Sequence, residues 1–406
     1  MSGHEEKKPE TKTGKYITLG IFLLAAIMFI IAFHPFGTLI AGDFPEDEVT
    51  IAVTLPFEGE MAAFGIEYQR GIELAVDDIN DNGGIRGVPL NVVYYDNKGN
   101  TTLAIEQFKE IRDLGIPVVI GAVSSTVTLA LAPYAETYEI LLISPSATSA
   151  SLSAYKNYVY RTVSSDIYLG AGMAKIISGQ TDTGNVMVLY LDTSYGKSLE
   201  NAFVNEAKAS YPDLHIVSTM MVPDSSTVNT TAVIDEMKKT NPNTILLIIN
   251  PSQAVAIMQE AEKEGLDPYW FGSDTVTSSQ IPKQVGEYAE GLIGFSQARK
   301  ISDPLYELAY EDKYGEKLSM RDSIYGYDTM IVVSEAMENS GYTADGIKEA
   351  LSEIRHVGLT GSIVFDEMGD AYPSYDVMEL KNGIWSDLEW KEILSFETTS
   401  TGLHVS

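Results

Sequence analysis

The stretch "PVVIGAVSSTVTLALAPYAETYEILLIS", residues 117–144, decides the fold. The β-branched run VVI gives way to Gly121, Ser124 and Ser125; a helical segment from about Ser125 follows, and the apolar run ILLIS comes next. Strand, helix and strand with short links make a βαβ unit, whose strands lie parallel in one sheet. The apolar runs are continuous rather than alternating, as expected of strands covered on both faces.

The same alternation extends in both directions. Upstream, VTIAVTLPF and VPLNVVYYD predict strands, with helices over Ile66–Asn80 and residues 101–114. Ile72, Ala75, Val76 and Ile79 share one helical face, and NGGIRG is a stop signal. Downstream, VMVLYLD, LHIVSTMMV, TILLIIN and YWFGSD predict strands, separated by helices from Tyr195, over 231–240 and over 252–264. Helices at 303–315, 323–339 and 344–354 precede GSIVFDE and DVMELKNGIW, the latter with an Asn382-Gly383 hairpin turn. From about Lys391 the polar tail predicts a frayed end. A chain of 406 residues with two such βα sets predicts two doubly wound α/β lobes.

Composition is globular, with 45% hydrophobic and 21% charged residues. The net charge of −30 offers no basic stripe for nucleic acid and suits cationic or zwitterionic partners. Cysteine is absent, which excludes disulfides, thiolate nucleophiles, cysteine zinc sites and a lipidated-cysteine anchor. The polar arm 1–15 carries Lys7, Lys8, Lys12 and Lys15. Uncharged Tyr16–Phe33 follows, spanning about 27 Å as a helix at roughly 1.5 Å per residue. With its apolar continuation to Ile40 it predicts an uncleaved transmembrane anchor over 16–40, the lysines inside and everything after a linker at 41–47 outside.

Ligands bind off the carboxyl ends of strands in such sheets. The exits here are small, polar and lightly charged: Pro56-Phe57, Ser124-Ser125, Ser144–Thr148, Asp192–Tyr195, Asn250-Pro251 and Ser273-Asp274. That chemistry suits hydrogen bonding to a small polar ligand. Ser125 and Thr148 stand where free helix N–H groups and hydroxyls hold a carboxylate, or where serine and threonine simply cap a helix. For Asp274, capping is again the alternative. "LDTSYGKSLENA" imitates a phosphate loop but has Leu191 where the first glycine belongs, so it reads as a helix start with Tyr195 facing a cleft. The five histidines (His4, His34, His215, His356 and His404) form no metal-spaced pair, and no G-x-S-x-G elbow is present. Asn100 and Asn229 stand in glycosylation sequons.

"GIELAVDDINDNGGIRGVPL", "VIGAVSSTVTLALAPYAE", "LLISPSATSASL", "YLDTSYGKSLENAF", "WFGSD" and "GSIVFDEMGD" run in order between about 48 and 390. This succession resembles the type I periplasmic solute-binding proteins of the branched-chain amino-acid class. The resemblance implies two Rossmann-like lobes joined by three hinge strands, one of residues 48–166 and 298–374, the other of 167–297 and 375–395, with a flexible tail at 396–406. It further implies that Ser125 and Thr148 grip a ligand carboxylate, and that the Ser146 carbonyl, beside Ala147, accepts from the ammonium. By the same resemblance Asp274 would pair with that ammonium from the opposite lobe, Phe64 would line the mouth from the first strand–helix loop, and Tyr195 would be a second cleft aromatic. Where well-known members carry a tyrosine, this chain has Asn250 and Pro251, which leaves the side-chain pocket and the ligand's identity open. The expectation is a membrane-anchored extracytoplasmic binding protein, not an enzyme, with no cofactor and no metal. It takes a small amino-acid-like ligand and serves an ABC importer permease. The alternative is a sensing ectodomain that signals through a partner receptor or kinase.

Overall fold

Apolar runs that continue through every position need cover on two faces, and each of the two large sheets has it. The computed structural model describes residues 44–45, 47–59, 61–180, 184–297, 303–318, 322–372, 375–388, 396–399 and 402–405. The predicted arm and anchor over 1–40 lie outside these. Among the described residues no helix is long and apolar enough to cross a membrane.

The first sheet is wholly parallel, in the order β2-β1-β3-β4-β5. Its strands are β1 (Val49–Leu55), β2 (Leu90–Asp96), β3 (Val118–Gly121), β4 (Leu141–Ser144) and β5 (Val159–Arg161). Helices α1 (Ala62–Asp81), α2 (Thr101–Asp113) and α3 (Ser125–Tyr138) connect them. Period-2 geometry sends Val49, Ile51, Val53 and Leu55 to one core and Ala52 to the other. Val118, Ile120, Leu141 and Ile143 join the first core; Val119 and Leu142 join the second.

After β5 the chain leaves this sheet. Helix α4 (Asp166–Gly179) opens a second half, followed by β6 (Asn185–Leu191), α5 (Ser194–Ser210), β7 (His215–Val222), α6 (Thr230–Thr240), β8 (Thr244–Ile248), α7 (Pro251–Lys263), β9 (Tyr269–Gly272), short α8 (Gln280–Gln284) and β10 (Ile293–Gln297). The chain then returns to the first half. Helices α9 (Pro304–Tyr314), α10 (Asp322–Ser340) and α11 (Ala344–Glu353) complete its core with Tyr306, Tyr310, Met330, Val333 and Ile347. A small hairpin, β11 (His356–Gly358) with β12 (Gly361–Ile363), precedes the third crossing. Strands β13 (Tyr375–Lys381) and β14 (Ile384–Asp387) then finish the second sheet, in the order β14-β13-β10-β9-β8-β6-β7. Here too alternate residues part: Ile245 and Leu247 go to one face, Leu246 and Ile248 to the other.

Several sequence expectations shift. Helix α1 begins at Ala62, not Ile66, with Gly65 inside its first turns. Phe64 is therefore helical rather than in the preceding loop, half-buried against the first core. Strand β5 is only three residues long, and α4 is buried on nearly all sides, so neither gives a periodic signal. The tail predicted as frayed carries a hairpin, β15 (Phe396–Thr399) with β16 (Gly402–Val405), built from extended-favouring threonine and valine. At the predicted turn Asn382 (φ 51°) and Gly383 (φ 71°) are both left-handed, as a two-residue hairpin of this kind requires.

The first and third crossings are stapled together. Arg161, at the end of β5 and 1% exposed, holds Asp370 at the third crossing with two 2.7 Å bonds, from Nε and Nη2. Asp328 of α10, also buried, accepts from the Leu359 N–H (3.0 Å) and the Thr360 N–H (2.7 Å), tying the β11–β12 hairpin to the core. Gly358 lies so close that a Cβ there would stand 2.4 Å from this carboxylate.

Candidate functional site

Strand order reverses beside β1 in the first sheet and beside β6 in the second. At such points successive connections run to opposite faces and leave a crevice at the strand ends. The exits of β3 and β4 on one side, and of β6 and β9 on the other, carry most of the residues singled out from the sequence.

On the first side, the N-cap of α3 is Ser124, whose Oγ accepts from the Val127 N–H at 3.2 Å. Ser125 is thereby released from capping, and its Oγ accepts from the Ser149 N–H at 3.2 Å. This contact draws the β3 and β4 exits together. Ser144 shapes the second exit: its Oγ accepts from the Ala147 N–H (2.9 Å) and the Ser146 N–H (3.2 Å) and donates to the Ala122 carbonyl (2.7 Å). A serine here turns the chain by standing in for a backbone acceptor. Arg161 supports the loop from behind, donating from Nη1 to the Ser149 carbonyl at 2.9 Å and the Ala147 carbonyl at 3.4 Å. The Thr148 carbonyl accepts from the Asp166 N–H at 2.8 Å. Both polar groups of Ala147 are thus engaged inside the loop. Thr148 is 2% exposed and is not a helix cap.

On the second side, Tyr195 stands in the first turn of α5, and its hydroxyl donates to Asp274 Oδ1 at 2.5 Å. Burial first, then the Asp274 charge, pushes the Tyr195 hydroxyl well above its ordinary pKa, so it remains a donor. Asp274 follows β9 in a turn and caps no helix; α8 starts only at Gln280. Asn250 is the N-cap of α7: its N–H donates to Gln253 Oε1 at 3.3 Å and its Nδ2 to Asp224 Oδ1 at 3.4 Å. The two sides touch. The Ala150 N–H donates to Ser198 Oγ at 2.8 Å, and the Ser194 N–H to Thr126 Oγ1 at 3.3 Å.

Two further acids come to this place that the sequence reading did not single out. Asp166, the first residue of α4, is fully buried, and neither carboxyl oxygen has a hydrogen-bond partner among the described residues. Burial pushes its pKa up to about 7; the nearby hydroxyls of Ser198 and Thr148 pull it back without true hydrogen-bond alignment, Asp274 raises it and Arg161 lowers it. Asp322 opens α10. It keeps some solvent access, yet burial still raises its pKa to about 6; the Tyr68 hydroxyl opposes this, while the charges of Glu67 and Asp274 add to it. Tyr325 and Tyr375 stand within electrostatic reach of the same acids, and burial lifts both hydroxyls well above the ordinary range. An acid in the first turn of a helix reads as ordinary dipole compensation, which is why Asp166 and Asp322 pass unnoticed in the sequence. Arg161, inside the short β5, gives no signal either.

Other sequence candidates find plain structural roles. Lys197, in the imitation phosphate loop, pairs with Asp192. Asn100 and Asn229 accept from the Leu103 and Ala232 N–H groups as N-caps of α2 and α6. His356 pairs with Glu335 at 3.0 Å. Among the described residues no three acidic or imidazole groups converge as metal ligands do. A surface groove of about 570 Å³ beside Asp303, Ile331 and Val357 shares no residue with the strand-end set.

Two halves, one built on a parallel sheet and one on a mixed, mostly parallel sheet, threaded by three crossings and facing each other across polar strand ends, define a two-lobed binding protein. Residues 48–383 match the family described as periplasmic binding protein, and the chain belongs to that family. It falls in the type I class that includes the branched-chain amino-acid binding proteins, a family of binding proteins and not of enzymes. The chain is 25% identical over 351 residues to a leucine-, isoleucine-, valine-, threonine- and alanine-binding protein of Pseudomonas aeruginosa, covering 85% of this chain and 90% of the relative. It is 26% identical over 249 residues to the Leu/Ile/Val-binding protein of Escherichia coli K12, covering 61% and 67% respectively. The crystal structure of a leucine-binding protein from Thermotoga maritima superposes with a TM-score of 0.74 at 26% identity, covering 84% of this chain and 97% of that one. At 17% identity, a benzoate-bound solute-binding protein from R. palustris also has a TM-score of 0.74 and shares the fold.

Proposed function

We propose that this chain captures a small amino-acid-like ligand between its two halves and delivers it to an ABC importer permease, held at the membrane by residues 16–40. The observation that carries this reading is the meeting of the two sets of strand ends, where the Ala150 N–H reaches Ser198 and the Ser194 N–H reaches Thr126; on this reading they bring two unlike subsites together. Ser125 and Thr148, with the N-terminal amides of α3, form an anion subsite, the buried Arg161 behind the loop being engaged by Asp370. Asp274, oriented by Tyr195, forms a cation subsite on the other side. The Ala147 and Thr148 carbonyls are already used, so the ammonium's second acceptor is Ser146. Phe64 closes the mouth, and Asn250 borders the side-chain pocket through the α7 N-terminus. A zwitterion then meets its full set of partners only when the halves close, and the ligand favours closure by that difference. Relatives named for leucine, isoleucine and valine binding support the amino-acid class.

Calorimetry of the purified chain against an amino-acid panel tests this reading. Heat of binding with at least one amino acid, lost in Ser125→Ala/Thr148→Val, is expected. No binding by any amino acid, or unchanged affinity in the double variant, would overturn it.

A further inference from the structure

An α-amino acid brings one ammonium and one carboxylate, so its own charge is balanced. The crevice is not. Asp274 from the β9 exit lies close enough to Asp166 of the first crossing, and to Asp322 at the start of α10, for its charge to raise the pKa of each. Arg161 acts on Asp166, but its guanidinium is already held by Asp370. Asp274 alone answers the ammonium, which leaves two acidic groups unaccounted for.

Their placement is built rather than incidental. Gly71 of α1 lets the start of α10 pack against it; a Cβ there would stand 1.7 Å from the Ser323 carbonyl oxygen. That close approach sets Asp322 beside the Tyr68 hydroxyl, which in turn meets Ser146 of the binding loop. Asp166 is sealed between Thr148 of one half and Ser198 of the other, with neither oxygen hydrogen-bonded among the described residues. A fully buried carboxyl without partners is costly unless a binding event supplies them. The acids do not converge on a point as metal ligands do, which suits an extended organic cation.

We propose that the ligand is an α-amino acid with a cationic side chain, and that Asp166 and Asp322 supply the counter-charge for its second positive centre. This rests on the amino-acid reading above and narrows it. Facing groups set the pH response: Thr148, Ser198, Asp274 and Arg161 around Asp166, and Tyr68, Glu67 and Asp274 around Asp322. The free carboxyls hold protons up to about pH 7 and about pH 6. A bound cation lowers both pKa values, so binding releases protons, and affinity rises with pH through that window.

The test is calorimetry on the full chain in detergent micelles with L-lysine, L-leucine and L-2-aminoheptanoate, in which a methyl replaces the ε-ammonium. Lysine is expected to bind at least tenfold tighter than either, with proton release at pH 6.5 seen as a heat difference between phosphate and Tris buffers. Asp322→Asn should cut the lysine preference at least fivefold. Tighter binding of leucine or aminoheptanoate would overturn the inference and leave the amino-acid reading standing. No binding by any of the three, with none in the wider panel, would overturn both. Lysine preference unchanged in both Asp166→Asn and Asp322→Asn would also overturn it. The wild-type comparison stands even where a variant fails to fold.

Discussion

Asp370→Asn should destabilise the protein severely, although it removes no atom of bulk. Arg161 is 1% exposed and gives five hydrogen bonds: two to Asp370, one each to the Ser149 and Ala147 carbonyls, and one to Ser153 Oγ. Neutralising Asp370 leaves the guanidinium charge buried and uncompensated. Breaking a buried pair from one side costs about 3–5 kcal/mol. Against a total stability of roughly 5–15 kcal/mol, that is a large fraction. Arg161→Met should cost a similar amount, because the loss of the charge is offset by stranding Asp370 and stripping donors from two buried carbonyls. The two losses overlap, so the double variant should cost less than their sum by about 2 kcal/mol or more. Urea denaturation followed by circular dichroism measures all four corners of this cycle. A cost below about 1 kcal/mol for Asp370→Asn, or strict additivity in the double variant, would refute the staple.

Two smaller perturbations test other parts of the frame. Gly358→Ala drives a methyl to within 2.4 Å of the Asp328 carboxylate, so the β11–β12 hairpin must shift; a loss of about 1–3 kcal/mol is expected in the same denaturation assay. Asp166→Asn should stabilise the ligand-free protein at pH 8. A folded pKa of about 7, above the unfolded value near 3.8, means that stability is lost as pH rises from about 4 to 7 and stays low above that. The variant escapes this loss, on the order of 4 kcal/mol, so its melting temperature should exceed wild type at pH 8 and match it near pH 4. Equal melting temperatures at pH 8 would mean that Asp166 is not held out of water.

How much of this was legible in the sequence depended on whether a residue's role follows from its neighbours in the chain. Continuous runs such as VVI, LLIS and TILLI announce doubly covered strands, because burial on both faces leaves no polar position. Asn382-Gly383 announces its turn because few other pairs tolerate two left-handed residues. Ser125 and Thr148 could be located but not interpreted: only the structure shows that Ser124 does the capping, which frees Ser125 to reach Ser149. Asp166, Asp322 and Arg161 were illegible for a different reason. Each acts on partners more than a hundred residues away or across the crevice, and nothing local distinguishes a buried acid at a helix start from an exposed one. The start of α1 was misplaced because Gly65 penalises a helix locally, while packing on the first core retains it.

The threading of the chain also governs the order in which the molecule can become complete during synthesis. Strands β1–β5 are made first, yet one face of their sheet is covered by Tyr306, Tyr310, Met330 and Val333, which follow only after the whole second sheet but its last two strands. At the usual 5–20 residues per second, the wait between Arg161 and Tyr306 lasts roughly 7–29 s. For that interval the nascent N-terminal sheet presents Ile51, Val53, Ile120 and Ile143 with part of their final cover missing. A ribosome-bound holdase or a translocation machine that receives this chain therefore handles a half-built apolar surface, and neither half can be produced as an uninterrupted segment cut from the gene.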